Sequence, residues 1–369
     1  MRIAQLVIGG AVAGGQLVAL AIARAARGRG DEVVFLSPSR GPFTDLVEAE
    51  GMPIRDVDVS RTFRIGGAVR LARDLRRLQV DVLHTHGAIA SNVLSRIAGR
   101  GARVPVVSHL HIENHLPRSR LRAGTLRALD NWSARLAARI LVVSEDTKRA
   151  LVEQGYPQER LEVVANGVHV GYSDNSGGRS LRAELGVPAA APLVVEIARL
   201  CDVKGQRELI DAVAELDGVH AVLVGEDLEQ GGLYRDLLER RIAERGAAGR
   251  IVLAGHRPDA RAFLEEADVF ALPSWMEGMP ITVLEAMAHA RPVVATAVGG
   301  TGEVVVDGVT GLLVPPRDAA ALGRAIGSLL SDRDAARRIG EAGRRRVEEH
   351  FSEEAMTRRV LEVYDELAG

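Results

Sequence analysis

Short apolar runs alternate with longer helical patterns along nearly the whole chain, and that alternation admits few folds. In the first half the runs are residues 3–8, 33–36, 82–84, 104–108, 140–143 and 161–164. Continuous apolar runs of this length, with helices predicted between them, read as buried strands of an open, mostly parallel sheet covered on both faces. A polar stretch rich in Gly and Ser, residues 171–188, breaks the rhythm, which resumes at 193–197, 221–224, 251–253, 269–272 and 293–295. With 369 residues there is chain enough for two cores. The expectation is α/β: two doubly wound domains, the first over residues 1–170.

Residues 3–23 carry no charge and follow Arg2, so a membrane helix or signal peptide has to be weighed. Gly9, Gly10, Gly14 and Gly15 cut the run into a strand-sized piece, 3–8, and a helix-sized one, 16–26. Strand, glycine turn and helix is how a parallel α/β domain begins. The lone cysteine, Cys201, permits no internal disulfide and no Cys-rich zinc site, so a reducing, cytoplasmic location is expected. A formal net charge of −2 conceals an asymmetry: residues 1–170 hold 24 Lys and Arg against 16 Asp and Glu. A basic first half suits an acidic ligand or an anionic membrane surface, with Arg118, Arg120, Arg122 and Arg127 clustered after Pro117. No aromatic-interleaved basic patch supports nucleic acid.

Ligands of open α/β sheets bind beyond the carboxyl ends of strands, so the residues just after each run are the candidates. Gly14 and Gly15 precede the opening helix, where bare backbone could approach an anion, although the spacing is not G-x-G-x-x-G. Arg199 and Lys204 follow run 193–197; Lys148 is the only other lysine, against 45 arginines, which suggests a compact ammonium is wanted here. After run 269–272, Glu277 lies in a loop, Pro280 can open a helix, and Glu285 sits within that helix among Val283, Leu284, Ala286 and Met287. A carboxylate in such company needs donors, which ligand hydroxyls could supply. The pairs His84/His86 and His109/His111 could suggest a metal. Alternate residues share a face only while the strand continues, no carboxylate or cysteine pattern completes a site, and they are read as polar groups lining a cleft. Asp56 and Asp58 form a D-x-D that reads as loop acid. Near the end, Met356, Val360, Leu361, Tyr364 and Leu367 share one helical face that needs a partner surface, with Ser352 a candidate N-cap.

Taken together these residues resemble the retaining glycosyltransferases of family 4. The resemblance rests on Glu277-x7-Glu285 preceded by Arg199-x4-Lys204, with support from Gly14-Gly15, His111, Asn166-Gly167-Val168 and the segment 306–315. Gly302 stands where many members have proline. The resemblance implies the GT-B fold, two facing Rossmann-like domains with a cleft between them: residues 1–170 with a returning terminal helix, 352–369, on the acceptor side, and 171–351 holding the nucleotide sugar. It also implies Glu285 on the ribose hydroxyls, Arg199 and Lys204 on the diphosphate, and Glu277 with the backbone of Gly278, Met279, Pro280 and Ile281 around the sugar. The base is implied near Gly255, His256 and Arg257, Gly15 near the diphosphate, and His111 at the donor sugar. No metal or other cofactor is expected, since a pair of protein cations can stabilise the departing diphosphate. UDP- or GDP-sugars are the expected donors; the acceptor is not legible. Two other classes fit parts of the pattern: a nucleotide-sugar 2-epimerase of similar fold, and a non-catalytic sugar-nucleotide binder.

Overall fold

The computed structural model describes residues 1–369 except 11, 58, 60–64, 112–119, 172–179, 229 and 369; the side chains of 65 and 120–123 are also outside the described set. Asp58, Arg118, the side chains of Arg120 and Arg122, and most of the Gly/Ser-rich stretch therefore lie outside the described residues. The chain divides into two compact units, Met1–Gly167 with Glu353–Gly369, and Val168–Ser352.

In the first unit seven strands, β1 (Arg2–Val7), β2 (Glu32–Ser37), β3 (Ile54–Asp56), β4 (Val82–His86), β5 (Val106–Leu110), β6 (Arg139–Val142) and β7 (Leu161–Val163), pair in the order β3-β2-β1-β4-β5-β6-β7. Every pairing is parallel. The uncharged N-terminal run is thus the central strand β1, hydrogen-bonded on both sides, followed by the helix Gly14–Gly28. Among the described residues no helix is long and apolar enough to cross a membrane. The second unit repeats the plan with β8 (Leu193–Ile197), β9 (His220–Val224), β10 (Ile251–Gly255), β11 (Val269–Leu272), β12 (Val293–Thr296) and β13 (Leu312–Val314), in the order β10-β9-β8-β11-β12-β13 and again all parallel.

Continuous apolar strands arise because both faces of each sheet are covered. On β8, Val194 faces Leu209, Ile210 and Val213 of the helix Gln206–Ala214, whereas Leu193 and Val195 face Phe263 and Ala267 on the other side. Each fully buried valine or leucine contributes about 1.5–3 kcal/mol. The first unit encloses an ion pair: Arg96, wholly enclosed, donates to Asp130 Oδ1 at 2.8 Å and to Ser108 and Ser133, and Tyr156 donates to the same carboxylate. The last helix, Glu353–Ala368, buries Met356, Val360 and Tyr364 and packs on the helix Gly14–Gly28.

The strand order reverses between β1 and β4 in one sheet and between β8 and β11 in the other. Adjacent connections leave those points on opposite faces, which opens a crevice beyond the strand ends. Gly14 and Gly15 follow β1, Arg199 and Lys204 follow β8, and Glu277 follows β11, so these candidates stand at the two reversals.

Candidate functional site

In the second unit the loops after β8 and β11 are pressed together. Gly205 closes the short turn Asp202–Lys204 with φ 74°, and a Cβ there would lie 2.1 Å from the Pro273 carbonyl oxygen. Only glycine permits that approach. Trp275 N donates to Val203 O at 2.8 Å, which fixes the register of the two loops. As a result Lys204 Nζ donates to Glu277 Oε1 at 2.6 Å, and Ser274 Oγ donates to the same oxygen at 2.6 Å. Glu277 is buried and Lys204 nearly so. The glycine loop after β12 completes the support: a Cβ on Gly299, whose φ is +49°, would meet the Glu277 carbonyl oxygen at 1.8 Å, and Gly300 N donates to Gly278 O at 2.8 Å.

Behind this pair lies a second acid that the motif reading does not contain. Glu196 of β8 is buried, and burial pushes its carboxyl well above the ordinary range even though Lys204 pulls it down. Gln206 Nε2 donates to it at 3.3 Å and to the Arg199 carbonyl at 3.0 Å, tying the strand to the loop that carries Arg199.

Glu285 sits in the helix Ile281–Ala288, whose N-cap is Pro280, and is 7% exposed. Burial raises its pKa; the opposing influence is Arg261, whose Nε and Nη2 lie 2.8 and 2.6 Å from Glu285 Oε1. The donors that the carboxylate requires are thus supplied by a protein guanidinium, itself exposed. Met279 and Pro280 are buried, Ile281 partly so. Of the residues expected near the base, His256 is exposed, while the Arg257 guanidinium is held by Asp259 and Glu184 and lies 5.3 Å from the Phe263 ring centre.

In the first unit β4 runs on to His86, so His84 and His86 do share a face, and β5 carries His109 beside them with His111 one residue past its end. The expectation that the strand had ended by His86 is corrected here. The four rings form one stack, with neighbouring centres 4.3–5.4 Å apart. Burial, reinforced by repulsion from one another and from His111, holds His84, His86 and His109 well below the usual imidazole range, and burial brings His111 to about 4. Ligand atoms of His84, His86 and His109 lie within 4.8 Å of one another, yet both nitrogens of His86 are engaged, Nε2 with Gln5 and Nδ1 with His111. The helix Gly14–Gly28 begins at the two glycines rather than after them. A Cβ on Gly15 would stand 2.8 Å from His111 Cδ2, so the glycine makes room for the imidazole.

The structure therefore brings together Arg199's loop, Lys204, Glu277 and Gly278 at one reversal, places Glu285 one turn into the next helix, and gathers Gly14, Gly15 and His111 at the other. Sequence reasoning missed Arg261, Ser274 and Glu196, and in the first unit Gln5 and Tyr364. Their signal was weak: Gln5 is the one polar residue inside an apolar strand, and Glu196 the same on β8.

Comparison with known proteins agrees with this geometry. Residues 12–172 match the model of Glycosyltransferase Family 4, and residues 179–346 that of Glycosyl transferases group 1. Over 182 residues the chain is 37% identical to the lipopolysaccharide core biosynthesis glycosyltransferase LpsE of Rhizobium meliloti, an alignment covering 49% of this chain and 52% of LpsE, so the match spans about half of that relative. It is 29% identical over 342 residues to the D-inositol 3-phosphate glycosyltransferase of Xylanimonas cellulosilytica, 88% of this chain and 79% of that one. Anabaena HepE, solved in complex with UDP-glucose, matches at 26% identity with a TM-score of 0.88, covering 99% of this chain and all of HepE. The chain belongs to glycosyltransferase family 4 and has its GT-B fold.

Proposed function

We propose that this protein is a retaining, metal-independent hexosyltransferase that moves a sugar from a nucleoside diphosphate to a hydroxyl acceptor. The observation that carries the reading is the Lys204–Glu277 pair, a cation and a carboxylate held 2.6 Å apart at the reversal point of the second sheet. Arg199 and Lys204 are assigned to the diphosphate, Glu277 and the backbone around Gly278, Met279, Pro280 and Ile281 to the sugar, and Glu285 to the ribose hydroxyls. His256 and Gly255 are assigned to the base. Arg257, occupied by Asp259 and Glu184, contributes by holding that loop. Gly14, Gly15 and His111 of the first unit belong to the same reaction, His111 through the hydroxyls of the sugar.

Cleavage of the anomeric C–O bond leaves negative charge on the departing diphosphate, which the two cations stabilise in the transition state more than in the ground state. The new C–O bond forms on the face that the diphosphate leaves, and the acceptor's proton passes to a phosphate oxygen. That route retains configuration and needs no separate base.

HepE was solved with UDP-glucose, which makes UDP-glucose the first donor to test. The protein should be melted with UDP-, GDP- and ADP-sugars in the presence of EDTA, because a ligand of the native state raises its Tm. The stabilising sugar is then incubated alone and with glycan, lipid-linked and inositol phosphate acceptors. Product with unchanged anomeric configuration supports the reading; an epimer formed without acceptor, or no stabilisation by any nucleotide sugar, refutes it. We further propose peripheral attachment to anionic lipid on the cytoplasmic side of a membrane. Arg70, Arg73, Arg76 and Arg77 on the helix Ile65–Arg77, and Arg127, Arg135 and the half-exposed Trp132 on or just after the helix Arg120–Ala134, are exposed, and these are the groups that would meet the lipid. Flotation with anionic vesicles at low and high salt tests this, since binding should weaken with salt.

A further inference from the structure

The stacked histidines are joined to the last helix by a buried run of hydrogen bonds in which the orientation of the Gln5 amide sets every proton. Gln5 Nε2 donates to the Tyr364 hydroxyl at 3.0 Å, so the Gln5 carbonyl Oε1 is the acceptor for His86 Nε2–H at 2.9 Å. A neutral imidazole carries one N–H. With its proton on Nε2, His86 presents a bare Nδ1, which accepts from His111 Nε2–H at 2.9 Å. The proton of His111 is thereby held on Nε2, and its Nδ1, which finds no partner among the described residues, is left as a lone pair. On the other branch the Tyr364 oxygen, already accepting from Gln5, donates its hydrogen to His84 Nδ1. That leaves His84 Nε2–H, also without a partner among the described residues. Burial keeps the four imidazoles uncharged at neutral pH and the Tyr364 phenol protonated, as this assignment requires.

We propose that Tyr364, acting through Gln5 and His86, is a positioning residue that locks His111 as the Nε2–H tautomer, so that His111 offers its ligand an acceptor and selects a hydroxyl over a phosphoryl or carboxylate oxygen. The selection of a sugar hydroxyl rests on the proposed function; the lock itself does not. A carboxylate or phosphoryl oxygen has no hydrogen to give to the bare Nδ1, and its charge is repelled by that lone pair. Tyr364 lies 253 residues from His111 in sequence, so the lock also couples the last helix of the first unit to the reacting end of β5. Reversing the Gln5 amide reverses every donor in the run: its Nε2 then faces His86 Nε2, the His86 proton moves to Nδ1, and His111 is left with Nδ1–H.

The two assignments are told apart by long-range proton–nitrogen spectra of the full chain labelled with 15N-histidine, which need no substrate. The wild-type protein should show His86 and His111 as single Nε2–H tautomers. In Tyr364→Phe, and in a second variant Gln5→Leu, His111 should become a mixture of tautomers, and kcat should fall about tenfold to a hundredfold with the donor KM nearly unchanged, as expected for a misplaced reacting group. His111 found as Nδ1–H, an unmixed tautomer in both variants, or a stoichiometric zinc ion ligated by His86 in the purified protein would overturn the proposal. A protein that shows the tautomer lock yet transfers no sugar supports the lock and refutes the proposed function.

Discussion

Removing Lys204 leaves Glu277 as an enclosed carboxylate held, among the described residues, by Ser274 alone. Breaking a buried ion pair from one side costs about 3–5 kcal/mol, and Glu277, 8% exposed, has little water to compensate. We expect Lys204→Met to destabilise the second unit by about 3 kcal/mol, which at a urea slope of about 2–3 kcal/mol per molar lowers the midpoint by roughly 1–1.5 M. Glu277→Gln should cost less, about 1–2 kcal/mol, because Lys204 keeps an amide acceptor and is the more exposed partner. The double variant Lys204→Met/Glu277→Gln removes both charges and should be more stable than the sum of the single changes by about 2 kcal/mol. Uridine diphosphate then separates the roles of the two side chains. Stabilisation by the nucleotide should vanish in Lys204→Met and persist in Glu277→Gln, where the cation is still present, and turnover of Lys204→Met should fall about a hundredfold or more. Urea denaturation followed by circular dichroism, with and without uridine diphosphate, measures all of this. Strict additivity of the two changes, or equal stabilisation of both single variants by the nucleotide, would refute the reasoning.

Gly15→Ala should cut kcat at least about tenfold while lowering the melting temperature little, since the new methyl meets His111 Cδ2 rather than backbone; steady-state kinetics on the purified variant checks it. Arg261→Met should raise the donor KM about tenfold at pH 7, because Glu285 loses the guanidinium that opposes its burial and its pKa rises further. That penalty should shrink as pH rises and the carboxyl ionises, and a pH-independent KM change would argue against it. Acid should weaken the first unit steeply: His84, His86 and His109 are neutral when folded and titrate near 6.5 when unfolded, so the unfolded chain binds more protons below that pH. Stability is then lost as pH falls below 6.5, by up to about 1.4 kcal/mol per unit for each histidine. A flat urea midpoint between pH 6.5 and 5 would contradict the buried, neutral assignment.

Most strands were legible because a strand covered on both faces must be apolar throughout; β8 and β11 fall where their runs predict, residue for residue. The two strands that were missed, β3 and β13, are three residues each and lie at sheet edges, where four of the six residues are partly or wholly exposed and a run so short does not stand out from the flanking loops. The opening helix starts two residues earlier than the pattern suggests, since Gly14 and Gly15 enter the first turn rather than precede it. In the site, Arg199, Lys204 and Glu277 could be singled out because charged residues in the loops after apolar runs stand near the strand ends, and Glu285 because it is a carboxylate among apolar residues of a helix. Their partners could not. Arg261 reaches Glu285 across 24 residues, and Tyr364 meets Gln5 across 359, distances at which composition and spacing carry no information.

The pairing of charges has a consequence for how a donor could be bound at low cost. Arg261 and Glu285, like Lys204 and Glu277, already neutralise each other in the absence of ligand. Left unpaired, the buried Glu277 and Glu285 and the nearly buried Lys204 would each incur a desolvation penalty of several kcal/mol, whereas paired they incur much less. Under the proposed reading an arriving diphosphate takes hydrogen bonds from Lys204 while sugar hydroxyls donate to Glu277, so binding exchanges partners and leaves no charge stranded at any stage. The exchange needs both ends of the ligand. A nucleoside diphosphate without its sugar frees Glu277 from Lys204 and gives it nothing in return, and a free sugar gives Lys204 no anion. Selectivity for the intact donor over either fragment therefore follows from the pairing itself. It should diminish in Glu277→Gln, whose neutral amide tolerates the loss of its partner, and titration calorimetry comparing uridine diphosphate with UDP-glucose on both proteins would expose a failure of that argument as an unchanged affinity ratio.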